Sequence, residues 1–103
     1  MSLNSQQVSN TINELHENFV RSGLSKQQVA DDLHISLIKL EKLFTLTQSS
    51  LNDPWILRNY LIQKVEENGK VPVTFTALVG NWHQYWFLNS RVIDQRQMSA
   101  GDN

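Results

Sequence analysis

The spacing of apolar residues predicts an amphipathic first helix. Four of them recur at intervals of three or four positions and so fall on one helix face: Val8, Ile12, Leu15 and Phe19. Gly23 follows, and glycine suits the left-handed position that ends many helices. The pattern therefore predicts a helix over residues 5–22 with a single buried stripe.

Residues 25–46 predict two short helices joined by a tight turn. Ser25 and Gln28 have the spacing of a capping box, and Ser36 is suited to cap the second helix. The four positions where two such helices and their turn meet are small or apolar: Ala30, Ile35, Leu40 and Leu43. This pattern resembles the helix-turn-helix of bacterial DNA-binding proteins, whose second helix enters the major groove.

The turn departs from that pattern at one residue. His34 stands where glycine is usual, because the backbone there tends to be left-handed. Histidine is among the residues that tolerate a positive φ, so we expect the turn to form with some strain. The alternative is a helical hairpin that contributes only to the core.

The second half of the chain predicts one clear helix and one ambiguous segment. Asp53 as N-cap and Pro54 as first helical residue predict a helix that ends near Gly69. Apolar residues between Phe75 and Trp86 fit helical spacing, and we favour a helix there. Gly80 and the aromatic run that follows also suit a β-hairpin over residues 82–93, like the wing of a winged helix.

These elements predict an all-α fold of about five helices. A trihelical helix-turn-helix core is followed by one or two C-terminal helices, and the alternative is a winged helix with a C-terminal hairpin. We expect one domain over residues 1–96 and a disordered polar tail over residues 97–103.

Composition narrows the classes of function. The 103 residues include no cysteine, which excludes disulfides, thiolate zinc sites and thiol catalysis. No apolar run approaches the roughly 20 residues of a membrane span, and the first residues do not resemble a signal peptide, so we expect a cytoplasmic protein. Nine basic against ten acidic residues give a net charge of −1, which counts against strong non-specific binding to nucleic acid.

Two strings in the second half carry a family resemblance. DPWILRNYL (residues 53–61) and GNWHQYWFLNSRVID (residues 80–94), with the break at residues 69–72 between them, resemble a group of small bacterial proteins described only as a domain of unknown function. The resemblance spans about residues 3–93. It implies a compact, mainly helical, cytoplasmic protein with a DNA-binding-type corner, and no established activity.

If the corner binds double-stranded DNA, the residues of contact follow from the helix phase. Those on the outward side of the second helix would face base edges and phosphates, and those at the start of the preceding helix would anchor a phosphate. The candidates are Lys26, Gln27, Ser36, Ile38, Lys39, Glu41, Lys42 and Thr45. We therefore predict a transcriptional regulator that acts as a homodimer; the sequence does not indicate an effector.

The rival hypothesis is a protein-interaction or dimerisation module with a degenerate corner. Leu37 and Ile38 would then form an exposed apolar patch for a protein partner. We expect no enzyme, cofactor or metal, because the chain has no phosphate-binding glycine loop or nucleophile elbow. Its three histidines also lack the spacing of a ligand cluster.

Overall fold

The computed structural model describes residues 3–102 and contains five α-helices in that range. They are α1 (Ser5–Ser22), α2 (Lys26–Leu33), α3 (Leu37–Phe44), α4 (Asp53–Glu67) and α5 (Ser90–Asp94), with a 3₁₀ turn at Trp82–Gln84. The all-α prediction is confirmed. The hairpin alternative is wrong, because no strand occurs between residues 3 and 102.

The core lies where α4 packs chiefly on α1 and also on α3, which in turn packs on α2. The side chains that are fully removed from solvent are mostly aliphatic residues of these four helices: Leu15, Val29, Ala30, Leu40, Leu43, Ile56, Leu57, Leu61 and Val65. Burial of this much apolar surface is the main term that stabilises a helical domain of this size.

Local capping signals set the helix ends as predicted. Helix α1 ends at Gly23, whose φ is 72°, and α2 begins at Ser25 with both hydrogen bonds of the capping box to Gln28. The Ser36 side chain accepts a hydrogen bond from Lys39 N at the start of α3. Gly69 follows α4 with a φ of 76°.

The predicted N-cap of α4 is wrong by one position. Asn52 is the N-cap, and Asp53 is the first residue of the helix. The Asp53 carboxylate is fully buried and accepts hydrogen bonds from the backbone and side chain of Ser99. The Asp53 side chain, which the sequence predicts as a local helix cap, is therefore held by a residue 46 positions away.

The segment between α4 and α5 is mostly irregular, so the favoured helix over residues 75–86 is wrong. Phe75 and Leu78 are buried, but their backbone belongs to a loop that lies along α1. Both oxygen and nitrogen atoms of the buried Asn18 amide bond the backbone of Val73. The apolar spacing arises from a loop pressed against the core and not from a helix.

Residues 97–102, for which the sequence predicts a disordered tail, contact the helical part of the molecule. Ser99 bonds Asp53, the Asp102 carboxylate accepts a hydrogen bond from Ser49 N at 2.9 Å, and Met98 packs against the core. The last residue, Asn103, lies outside the described residues. The C-terminal segment, residues 97–102, is thus part of the folded domain.

Candidate nucleic-acid interface

The corner between α2 and α3 is a three-residue turn. His34 has a φ of 57°, as expected for a residue that replaces glycine, and the backbone N–H groups of His34 and Ile35 close the end of α2 by bonding Asp31 O and Ala30 O. This pair of bonds is the Schellman ending of a helix. The close of α2 and the start of α3 are therefore separated by this turn alone.

One side of α3 is open to solvent. We call the residues at positions 38, 41, 42 and 45 the open face of α3: Ile38, Glu41, Lys42 and Thr45. The spacing of three and four positions places them along one stripe. Ile38 is 62% exposed, and Leu37 beside it is 43% exposed. Thr45 caps its own helix end by donating to Glu41 O at 3.1 Å.

An ion pair joins the start of α2 to the open face. Lys26 Nζ lies 2.7 Å from Glu41 Oε1, with 43% and 54% of the two side chains exposed. The same ammonium lies 5.7 Å from the centroid of the Phe44 ring. Two predicted contact residues are therefore brought together, but they neutralise each other.

Lys39 is placed wrongly by the sequence prediction, because its side chain is fully buried. The ammonium lies 3.2 Å from Asp53 Oδ2 and donates to the carbonyl oxygens of Ser99 and Gly101. It also donates to the Ser99 hydroxyl at 2.9 Å. A charge enclosed by four oxygen partners is not available to an external phosphate. Lys39 holds the C-terminal segment onto α3.

The acidic residues of α2 point in two directions. Asp32 accepts a hydrogen bond from the Tyr60 hydroxyl of α4, and burial followed by this bond raises the pKa of Tyr60 above its usual value. Asp31 stays exposed on α2, where it accepts a hydrogen bond from Gln27 Nε2 at 2.8 Å. The bond to Tyr60 ties Asp32 to α4, but both carboxylates of α2 remain exposed.

Among the residues that the structure describes, Lys42 is the predicted basic residue that is neither fully buried nor held in an ion pair. Within residues 3–102 it makes no ion pair, and its side chain is half-buried at the edge of the open face. Ser36 is half-buried as the N-cap of α3. The formal charges on the solvent-accessible side chains of the corner sum to −1: Lys26 and Lys42 against Asp31, Asp32 and Glu41.

The described part of the chain holds no group of three or more histidine, aspartate or glutamate side chains arranged for a metal ion. Among the same residues, none of the helices is both long enough and apolar enough to span a bilayer.

Comparison with known proteins identifies the family. The model of DUF2316, an uncharacterised protein conserved in bacteria, matches residues 1–89, and the chain belongs to this family. Neither the curated proteins nor the solved structures gave a match. The C-terminal segment that encloses Lys39 lies beyond the matched residues.

Proposed function

We propose that this member of DUF2316 is a cytoplasmic DNA-binding regulator that uses the α2–α3 corner. The observation that carries the proposal is the open face of α3, which presents an apolar, a cationic and a hydroxyl side chain beside the carboxylate of Glu41. Eight residues span about 12 Å, and the major groove is about 12 Å wide. Ile38 would meet a thymine methyl, and Lys42 and Thr45 would reach base edges or phosphates.

The ion pair between Lys26 and Glu41 would set the strength of binding. Exposed pairs of this kind contribute only about 0–1 kcal/mol, so a phosphate can compete with Glu41 for the ammonium. Once a phosphate takes the ammonium, however, the unpaired Glu41 repels the backbone of the duplex. We therefore propose a weak monomeric contact that is strengthened when a homodimer places two corners on one duplex.

The test is the affinity for a fluorescent duplex of random sequence, measured by anisotropy over a range of salt concentrations. Glu41→Gln removes one negative charge from the face and should tighten binding several-fold, while Lys42→Ala should weaken it and reduce the salt slope by about one. Lys70→Ala, an exposed lysine beyond the end of α4, is the matched control.

Affinities that are equal for Glu41→Gln, Lys42→Ala and Lys70→Ala would contradict the proposed face. Sedimentation of the free protein and of the complex shows whether one or two copies of the protein bind each duplex. Selection from a pool of random duplexes would then define the preferred sequence.

A second function, protein docking on the same face, is favoured by the lack of excess positive charge at the corner and by two exposed aliphatic residues. Leu37 and Ile38 are 43% and 62% exposed, next to a face whose charges cancel. Under this proposal Ile38→Asp abolishes an association that salt does not weaken, whereas Glu41→Gln leaves it unchanged. The opposite response to salt distinguishes docking from DNA binding.

A further inference from the structure

A cavity of about 400 Å³ lies on the side of the molecule formed by α1, the α3–α4 loop and residues 85–88 before α5, which we call the aromatic loop. Its walls include Val8 from α1, Leu46 from the loop, Trp55 from α4, and Tyr85 and Phe87 from the aromatic loop. The volume is at the lower end of the roughly 300–1,000 Å³ of small-molecule sites. It opens to solvent beside Leu51, which is 53% exposed.

The walls of the cavity carry no formal charge. The lining residues include no aspartate, glutamate, lysine, arginine or histidine. Three aromatic rings form one continuous wall, with centroids 5.7 Å apart for Trp55 and Tyr85 and 5.5 Å apart for Tyr85 and Phe87. An ionised ligand would lose its hydration here without gaining a partner, so the cavity favours a neutral molecule with a flat apolar body.

One acceptor at this wall has no partner. Gln48 lines the cavity, and its Oε1 is the sole buried side-chain nitrogen or oxygen without a hydrogen bond in residues 3–102. Its Nε2 donates to Ser50 O at 2.7 Å, which fixes the orientation of the amide, since a carbonyl oxygen cannot take that place. Buried acceptors are normally paired, so this one indicates a missing donor.

We propose that the cavity binds a small neutral aromatic molecule that donates one hydrogen bond to Gln48. The terminal torsion of glutamine is soft, so a rotation that releases Nε2 from Ser50 O turns the shielded Oε1 toward the donor of the ligand. This site does not depend on DNA binding, and it is tested by the binding of small molecules in the absence of DNA. The bound ligand would also contact Leu46, which lies two residues past the end of α3.

The experiment compares probes that differ only in the donor. Indole and 2-naphthol each donate one hydrogen bond, whereas 1-methylindole and 2-methoxynaphthalene have the same rings without the donor. Binding to the full chain is measured by calorimetry and by two-dimensional amide NMR. We expect saturable binding of both donor probes, at the amides of residues 46–51, with affinity three- to tenfold above that of the methylated partners.

Two variants separate the hydrogen bond from the cavity. Gln48→Leu should abolish the preference for donor probes while the methylated probes still bind, and Gln95→Leu, an exposed glutamine outside the cavity, should change neither. Ala77→Trp should fill the cavity and weaken all four probes. Circular dichroism confirms that each variant is folded.

Three results would overturn the proposal. The first is the absence of saturable binding for both donor probes up to their solubility limits. The second is equal affinity of the donor and methylated probes for the native chain. The third is binding of the indole-3-acetate anion as tight as that of indole, since the uncharged walls predict that the carboxylate is rejected.

Discussion

Lys39 shows how a single residue of α3 is diverted from solvent into the core. Transfer of an ammonium group out of water costs several kcal/mol unless paired charges and hydrogen bonds replace the lost hydration. Asp53 provides the charge at 3.2 Å, and the C-terminal segment provides three further oxygen atoms. The pair therefore depends on residues far from Lys39 in the chain.

Removal of Lys39 should leave Asp53 as an uncompensated buried charge. We expect Lys39→Ala to lower the free energy of unfolding by roughly 3–5 kcal/mol, and the matched control Lys42→Ala to change it by less than about 0.5 kcal/mol. Urea denaturation measures both. The double variant Lys39→Met with Asp53→Leu, which replaces both charges by apolar side chains, should be more stable than Lys39→Ala. Equal stability of Lys39→Ala and Lys42→Ala would show that the pair is not buried.

Asp94 gives a second prediction for a single residue, and it concerns pH. Hydrogen bonds from the His83 ring and then from the Trp82 indole lower the pKa of the Asp94 carboxyl below its usual value. Because the folded-state pKa is depressed, the stabilising contribution is present above the unfolded-state pKa and is lost as pH falls through the folded-state value. His83→Ala should therefore raise the pKa of Asp94, which carboxyl-carbon NMR titration measures; an unchanged pKa would contradict the bond.

Individual helices were predictable where the signal is local and not where it is distant. Capping residues such as Ser25 and Gly23 act within four positions, so the sequence defines those helix ends correctly. The loop around Val73 is held instead by Asn18 of α1, 55 positions away, and apolar spacing alone cannot distinguish a helix from a buried loop. The same reason explains why the partners of Lys39 were missed.

The contact between α1 and this loop can be tested at Asn18. Asn18→Ala removes three hydrogen bonds, two to Val73 and one to Glu14 O, and takes the amide partner from the backbone N–H and C=O of Val73. We expect destabilisation by about 1–3 kcal/mol and faster hydrogen exchange at the amide of Val73. Asn13→Ala, on the exposed side of the same helix, is the control; exchange at Val73 that matches this control would contradict the contact.

At the scale of the molecule, the distribution of charge matters more than its total. The net charge of −1 leaves open whether a basic surface exists. The structure encloses Lys39 and pairs Lys26 with Glu41, so the corner presents no excess of positive charge. The sequence predicts the helices of the corner but cannot predict this charge distribution, because it arises from the C-terminal segment and from a contact between helices.

Enclosure of Lys39 by the C-terminal segment predicts a difference in chemical reactivity among the lysines. An acylating reagent reaches a buried ammonium only when the segment opens, so in the full chain Lys39 should react at least about tenfold more slowly than the exposed Lys70. Ser99→Pro removes the backbone and side-chain donors to Asp53, which should loosen the segment and speed the reaction at Lys39 without changing it at Lys70. Mass spectrometry of peptides from a timed reaction with acetyl-N-hydroxysuccinimide gives both rates. Reaction of Lys39 as fast as Lys70 in the native chain would mean that the segment does not cover α3, and the charge of the corner would then be more positive than the fold indicates.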